Sequence, residues 1–234
     1  MEVIILAGGF GTRLQSIVKN VPKPMADING RPFLSFLLDY LINQKVKKVL
    51  LSVCYKHEAI ENYFGFRYKN IEIGYVFETI PLGTGGAIRE ALKYVSDDNV
   101  IVLNGDTFFC INLSEMYDFH RGKRSNLTIA VKATENCSRY GAVIIQNDKI
   151  VQFEEKASNS FGYINGGIYI INSKVISSII DEFGNQFSFE RDFIQKIAKK
   201  INVFSYISND YFIDIGIPED YAIAKKELPC RVHT

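Results

Sequence analysis

The chain has 234 residues, 47% of them hydrophobic, and its 27 basic and 26 acidic side chains leave a net charge of +1. That length suits one large α/β domain with a sizeable core. The charge balance excludes the broad basic field that drives non-specific nucleic-acid binding, so any phosphate must bind in a local pocket.

No stretch approaches the roughly 20 apolar residues of a membrane span, and the start Met1-Glu2-Val3-Ile4-Ile5-Leu6 carries no basic leader. The expectation is a soluble cytoplasmic protein with neither membrane nor nucleic acid as partner. Cys54, Cys110, Cys137 and Cys230 lie far apart and form no paired ligand spacing, so inert thiols are expected.

Residues 3–7 form a short apolar run ahead of a glycine cluster, the pattern of a buried strand. Pro32 opens a helical pattern, since a missing N–H costs nothing in a first turn. Phe33, Phe36, Leu37, Tyr40 and Leu41 give that helix an apolar face. A strand at 49–53, a helix at 58–64, a strand at 71–77, a helix at 84–95 and a strand at 100–103 follow. This alternation predicts βαβ units, in a Rossmann-like mixed, mostly parallel sheet flanked by helices.

After about residue 125 the rhythm changes. Strands are expected at 127–131, 142–145, 150–154 and 163–171, helices at 175–181 and 189–199, strands at 203–207 and 211–213, and a helix from 218. No linker or repeat interrupts the chain. The reading is a single domain over 1–228, with halves meeting near residue 125 and an unstructured tail at 229–234.

The residues suited to chemistry cluster at the ends of the predicted strands. Leu6-Ala7-Gly8-Gly9-Phe10-Gly11-Thr12-Arg13-Leu14 follows the first strand. Its glycines let backbone N–H groups approach an anion, and Arg13 adds a cationic fork suited to phosphate. Glycines alone would make an ordinary turn. A dinucleotide fingerprint fails at Leu14, where a small residue is needed, and no Gly-Lys-Ser/Thr is present for a Walker loop.

Lys23 stands between Pro22 and Pro24, which stiffen its surroundings toward extended backbone. Glu78-Thr79-Ile80-Pro81-Leu82-Gly83-Thr84 forms a second glycine-punctuated strand-to-helix turn. There the acceptor-only Glu78 can complement N–H donors on a base edge, and Thr84 can cap the helix.

Asp106 and Asp214 each end an apolar strand, where an acid is costly unless paired, capping or metal-bound. Singly, each is a common turn residue; together they match magnesium, which takes one or two protein carboxylates and completes its shell with phosphate and water. Lys156, Glu155 and Asn165 can hold the phosphate and hydroxyls of a second substrate, although their spacing alone says little. His57, His120 and His233 have no convincing partners and receive no catalytic role.

In order along residues 1 to about 225, these motifs resemble the sugar-nucleotide pyrophosphorylases, the nucleotidyltransferases acting on sugar 1-phosphates. The motifs are 6–14, Lys23-Pro24-Met25, Pro81-Leu82-Gly83-Thr84-Gly85, Leu103-Asn104-Gly105-Asp106, Glu155-Lys156, Asn165-Gly166-Gly167 and Asp214-Ile215-Gly216.

Residues 29–34, 55–58, 103–109, 211–221 and Phe187-Ser188-Phe189-Glu190 resemble most the branch that transfers guanylyl groups from GTP to a manno-heptose 1-phosphate. Mannose 1-phosphate guanylyltransferases and N-acetylmuramate 1-phosphate uridylyltransferases are neighbours in the same family. Phe212 departs from the wider family, where tryptophan often precedes the metal aspartate.

The resemblance implies a Mg2+-dependent enzyme with GTP and heptose 1-phosphate as substrates, supplying precursors for a surface polysaccharide; a homodimer would fit. It places Leu6, Ala7, Gly8, Gly9, Gly11, Thr12, Arg13, Lys23, Glu78, Pro81, Gly83 and Thr84 on the nucleotide. Asn104, Gly141, Glu155, Lys156 and Asn165 fall on the sugar phosphate, Asp106 and Asp214 on the metal, and Arg13, Lys23 and Asp106 at the reacting centre. A catalytically inactive, nucleotide-sugar-binding regulatory protein on the same scaffold is expected to lack the loop arginine or a metal aspartate, and both are present.

Overall fold

The computed structural model describes residues 1–9, 14, 18, 21–135, 137, 142–154 and 161–231. Strand β1 (Glu2–Leu6) leads through a single 3-10 turn at Lys23–Met25 to the small hairpin β2 (Asp27–Ile28) and β3 (Arg31–Pro32). Helix α1 (Phe33–Asn43), β4 (Lys48–Val53), α2 (His57–Phe64), β5 (Arg67–Tyr68), β6 (Ile71–Phe77), α3 (Gly83–Leu92) and β7 (Asn99–Asn104) complete the first half. β7 runs into β8 (Thr107–Phe109) and α4 (Leu113–Gly122).

The second half contains β9 (Leu127–Thr134), β10 (Ala142–Gln146), β11 (Lys149–Glu154), β12 (Gly162–Asn172) and α5 (Ser173–Ile180). A π-helical turn at Phe189–Ile194 passes into α6 (Gln195–Ile197), and β13 (Val203–Ser208), β14 (Phe212–Asp214) and α7 (Pro218–Arg231) close the chain.

Ten strands form one sheet among the described residues, in the order β10-β11-β13-β9-β12-β7-β1-β4-β6-β5. The first-half strands β7, β1, β4 and β6 run parallel, joined by helical crossovers. Antiparallel pairing of β12 with β7 and β9 begins where the sequence rhythm changes.

The central strands are apolar on both faces because both are covered. Val3 and Ile5 pack toward α1, α2 and α7, with Phe33, Leu37, Ile60 and Leu228. Ile4, pointing the other way, joins Ile88 of α3, Ile176 and Ile180 of α5, and Phe189 and Phe193.

Three local expectations need correction. Lys23 is not in extended backbone but opens the 3-10 turn, where Met25 N–H donates to the Pro22 carbonyl at 2.8 Å. Pro24 falls in the first turn, where its missing N–H costs nothing.

The helix of 189–199 begins as a π turn, with Phe193 N–H reaching back to the Ser188 carbonyl at 3.2 Å. The predicted tail is helical as far as Arg231. Pro229 cannot donate to the carbonyl four residues back at Lys225, and Asn29 Nδ2 donates to it instead at 2.7 Å.

Helix α4 was not expected from apolar periodicity. It is started by Asn112, whose side chain accepts from Ser114 N and Glu115 N and donates to the Glu115 side chain, an N-cap legible in the sequence.

Candidate active site

A cleft of about 390 Å³ opens at the carboxyl ends of the parallel strands, the position expected for ligands of an open α/β sheet. One side is charged. β7 ends at Asn104, and Gly105 N–H then donates to the Leu6 carbonyl at 2.9 Å. A Cβ on Gly105 would lie 2.5 Å from that oxygen, so only glycine lets the ends of β1 and β7 approach so closely.

The chain turns at Asp106 into β8, which pairs antiparallel with β14 so that Thr107 faces Asp214. Ile215 N–H closes the junction on the Asp106 carbonyl at 3.0 Å. This pairing brings together two carboxylates that are far apart in the chain.

Lys23 lies between them, 9% exposed, with Nζ 2.6 Å from Asp106 Oδ2 and 3.4 Å from Asp214 Oδ1. Burial works to lower the Lys23 pKa, but the two carboxylates outweigh it and raise the pKa above its ordinary value. Asp214 is shifted upward by burial and then by the Asp106 charge, although Lys23 and a Gly216 N–H at 2.6 Å oppose the shift.

Two hard oxygen donors of this kind suit magnesium, which leaves its remaining positions to phosphate and water. Among the described residues no group of three or more His, Cys, Asp or Glu side chains is placed to hold a metal ion.

The opposite wall is the turn from β6 into α3. Glu78 accepts from Ser52 Oγ at 2.9 Å and from Leu82 N–H at 3.0 Å, and burial raises its pKa. A side chain on Gly8 would meet Glu78 at 3.0 Å and Cys54 Cβ at 3.1 Å, so the bare backbone of 8–9 forms that edge of the cleft. Gly83 has φ +72, and a Cβ there would lie 2.5 Å from the Phe187 carbonyl.

Of the residues singled out in the sequence, Leu6, Gly8, Gly9, Lys23, Glu78, Pro81, Gly83, Thr84, Asn104 and Asp106 border the cleft. Asp214 joins through Lys23. Ala7 is buried, with its N–H on the Ser52 carbonyl at 2.8 Å. Asn165 stands behind the wall, donating to Tyr169 OH at 2.7 Å. Gly11, Thr12, Arg13, Gly141, Glu155 and Lys156 lie outside the described residues.

Pro24, Ala87, Gln186 and Gly216 also border the cleft and were not anticipated in that role. Gln186 arrives on a segment strapped to α3, with Phe187 N–H on the Leu82 carbonyl and Gly85 N–H on the Phe187 carbonyl, both at 3.0 Å. Arg89 donates to the carbonyls of Phe183, Gly184 and Asn185. The aromatic residues around Phe187 were the available signal, but not their destination.

The sequence pattern of the family described as Nucleotidyl transferase matches residues 2–229. The chain is 46% identical to D-glycero-alpha-D-manno-heptose 1-phosphate guanylyltransferase of Aneurinibacillus thermoaerophilus, over 97% of this chain and 98% of that one. It is also 46% identical to the enzyme of the same name from Campylobacter jejuni, over 94% and 97% of the two chains. The crystal structure of HddC from Yersinia pseudotuberculosis superposes with a TM-score of 0.88 at 38% identity, covering 97% of this chain and 98% of that one; HddC complexed with GMP-PN gives 0.86.

Proposed function

The chain belongs to the nucleotidyl transferase family, and from that premise we propose that it transfers a guanylyl group from GTP to D-glycero-α-D-manno-heptose 1-phosphate, releasing pyrophosphate. The observation that carries this reading is the Lys23 ammonium held between Asp106 and Asp214 at one end of a cleft whose other wall is a glycine-rich turn.

The specificity rests on the relatives, which bear the heptose name over nearly their full length. The fixed acceptor Glu78 adds to it, since a carboxylate is complementary to the adjacent N–H donors of guanine.

In this reading a phosphate oxygen of the sugar 1-phosphate attacks the α-phosphorus of GTP in line. The new P–O bond forms as the bond to the β-phosphate oxygen breaks, and pyrophosphate leaves with that electron pair. The attacking phosphate is already an anionic nucleophile, so no general base is required.

The difficulty is repulsion, because each phosphate group brings about −1.5 to −2 charges at neutral pH. Lys23, held beside the two carboxylates, offsets part of that charge. Arg13 and Lys156 add further cations on the nucleotide and sugar sides, with the backbone of 8–12 cradling the triphosphate. Glu78, Pro81, Gly83 and Thr84 receive the base, and Gly141, Glu155, Asn104 and Asn165 the sugar. Asp106 and Asp214 would hold Mg2+, which when bound would supply charge neutralisation and fix the geometry of the phosphates. Catalysis is then positioning plus electrostatics.

No helix among the described residues is long and apolar enough to cross a membrane. A cytoplasmic location, where GTP is available, a homodimeric state and use of the product for surface polysaccharide belong to the same proposal.

The test is pyrophosphate release with magnesium, crossing GTP, ATP, CTP and UTP with manno-heptose, mannose, glucose and N-acetylmuramate 1-phosphates. Turnover confined to GTP with the heptose phosphate supports the full reading. A different active pair moves the specificity within the enzyme class, and binding of nucleotide without turnover favours a regulatory protein.

A further inference from the structure

Behind the cleft lies a carboxylate to which none of the reactions above assigns a role. Glu190, half-buried in the π-helical turn, accepts from three hydroxyls: Thr84 Oγ1 at 2.8 Å, Ser188 Oγ at 2.9 Å and Tyr169 OH at 2.7 Å. A carboxylate has no proton to give, so all three hydroxyl protons point at it. Each hydroxyl therefore turns its lone pairs away and accepts from elsewhere. Thr84 Oγ1 accepts from Phe189 N–H at 2.8 Å, and Ser188 Oγ from Arg191 N–H at 3.2 Å.

Tyr169 is fully buried in β12, and its single proton is committed to Glu190. Its oxygen can then only accept, which fixes the orientation of the amide beside it. Asn165 must present Nδ2, at 2.7 Å, and its Oδ1 accepts from Gly167 N–H at 2.9 Å. One acceptor-only group thus sets the donor and acceptor pattern of Asn165 and also anchors Thr84 on the opposite wall.

We propose that Glu190 is a positioning residue for the transfer. It holds the wall that receives the sugar phosphate, through Tyr169 and Asn165, in fixed register with the turn that receives the base, through Thr84. The inference rests on the assignment of Asn165 to the sugar side and of the Gly83–Thr84 turn to the base. A glutamine at position 190 keeps the volume but places an N–H2 against hydroxyls whose protons already point inward. Either one wall loses its anchor, or Tyr169 reverses and the Asn165 amide turns over with it.

The experiment compares wild type with Glu190→Gln, Glu190→Asp and Tyr169→Phe, using GTP and whichever sugar 1-phosphate wild type turns over. Glu190→Gln and Tyr169→Phe are expected to lower kcat by between about tenfold and a hundredfold, the scale of a misplacement of about 1 Å. The KM for GTP should change less than about threefold, since neither residue borders the cleft. Glu190→Asp, which keeps the acceptor-only charge, should recover part of the loss.

Lowered melting temperatures with kcat unchanged in the folded variants would mean that Glu190 only supports the fold, and would overturn the inference. Should Glu190→Gln fail to fold, Tyr169→Phe carries the test alone, since it removes the hydroxyl that joins Glu190 to Asn165; normal kcat there is equally fatal. Absence of turnover from folded wild type with every substrate pair is a separate result, which removes the proposed function and this inference with it.

Discussion

Lys23 Nζ stands 2.6 Å from Asp106 Oδ2, an ion pair between residues 83 positions apart. Asp106 therefore faces the ammonium as well as the space where a metal and phosphates would lie. Asp106→Asn keeps the shape and the hydrogen-bonding reach but removes the charge. Turnover is expected to fall by about a hundredfold or more, as loss of a metal carboxylate should produce, with the circular dichroism spectrum unchanged. Near-normal turnover at saturating magnesium would remove Asp106 from the reacting centre.

Because both proposed metal donors are carboxylates, divalent ions should exchange freely. Chelation with excess EDTA is expected to abolish pyrophosphate release, and added magnesium to restore it. Activity that persists through chelation and dialysis would leave Lys23 as the neutralising partner of Asp106 and Asp214 during turnover.

Glu78 is held at both oxygens, so glutamine can replace it with its oxygen on Leu82 N–H and its nitrogen on Ser52 Oγ, which can also accept. The charge offered to a base edge would then be gone. Glu78→Gln is expected to lower kcat/KM for GTP by about tenfold to a hundredfold, the worth of a hydrogen bond to a charged group. The ratio of GTP to ATP turnover reads this directly. An unchanged ratio would leave Glu78 as a brace for the turn alone.

Gly83 combines φ +72 with the Phe187 carbonyl where a Cβ would be. Gly83→Ala should cost about 1–3 kcal/mol of stability from the backbone strain alone, measurable by urea denaturation. It should also loosen the 182–188 strap and raise the KM for GTP. A variant as stable as wild type would show that the turn relaxes without the strap.

His120 is buried with its Nδ1 2.8 Å from Thr128 Oγ1 and its Nε2 3.2 Å from Asn99 Oδ1, and burial lowers its pKa from 6.5 to about 4. The unfolded chain binds this proton first, so the stability tied to neutral His120 is present above about pH 6.5 and is lost as the pH falls toward 4. Each pH unit of that gap is worth about 1.4 kcal/mol, so the full loss is about 3 kcal/mol. Wild type should lose more stability than His120→Gln between pH 7 and pH 4.5. Parallel losses in the two proteins would show that carboxylates alone account for the acid sensitivity.

Much of this molecule is written locally. The apolar runs that became β1, β4, β6 and β7 and the glycines at strand ends carry their meaning within a few residues, because periodicity and turn chemistry act over that range. Charged residues at the ends of those strands were legible for the same reason. Helix α4 was equally local, announced by Asn112 and Glu115, but its face has few apolar side chains.

What the tertiary structure decided are the meetings between distant segments. Lys23 reaches Asp214 across 191 positions only because β8 pairs with β14 in a register that sets Thr107 opposite Asp214. Thr84 reaches Glu190 across 106 positions only because the Phe187 strap lies over Gly83 and Gly85. The sequence by itself determined which side chains stand at the ends of which strands. Which of them share one cleft was decided by sheet register and close backbone approach, long-range contacts that no local pattern encodes.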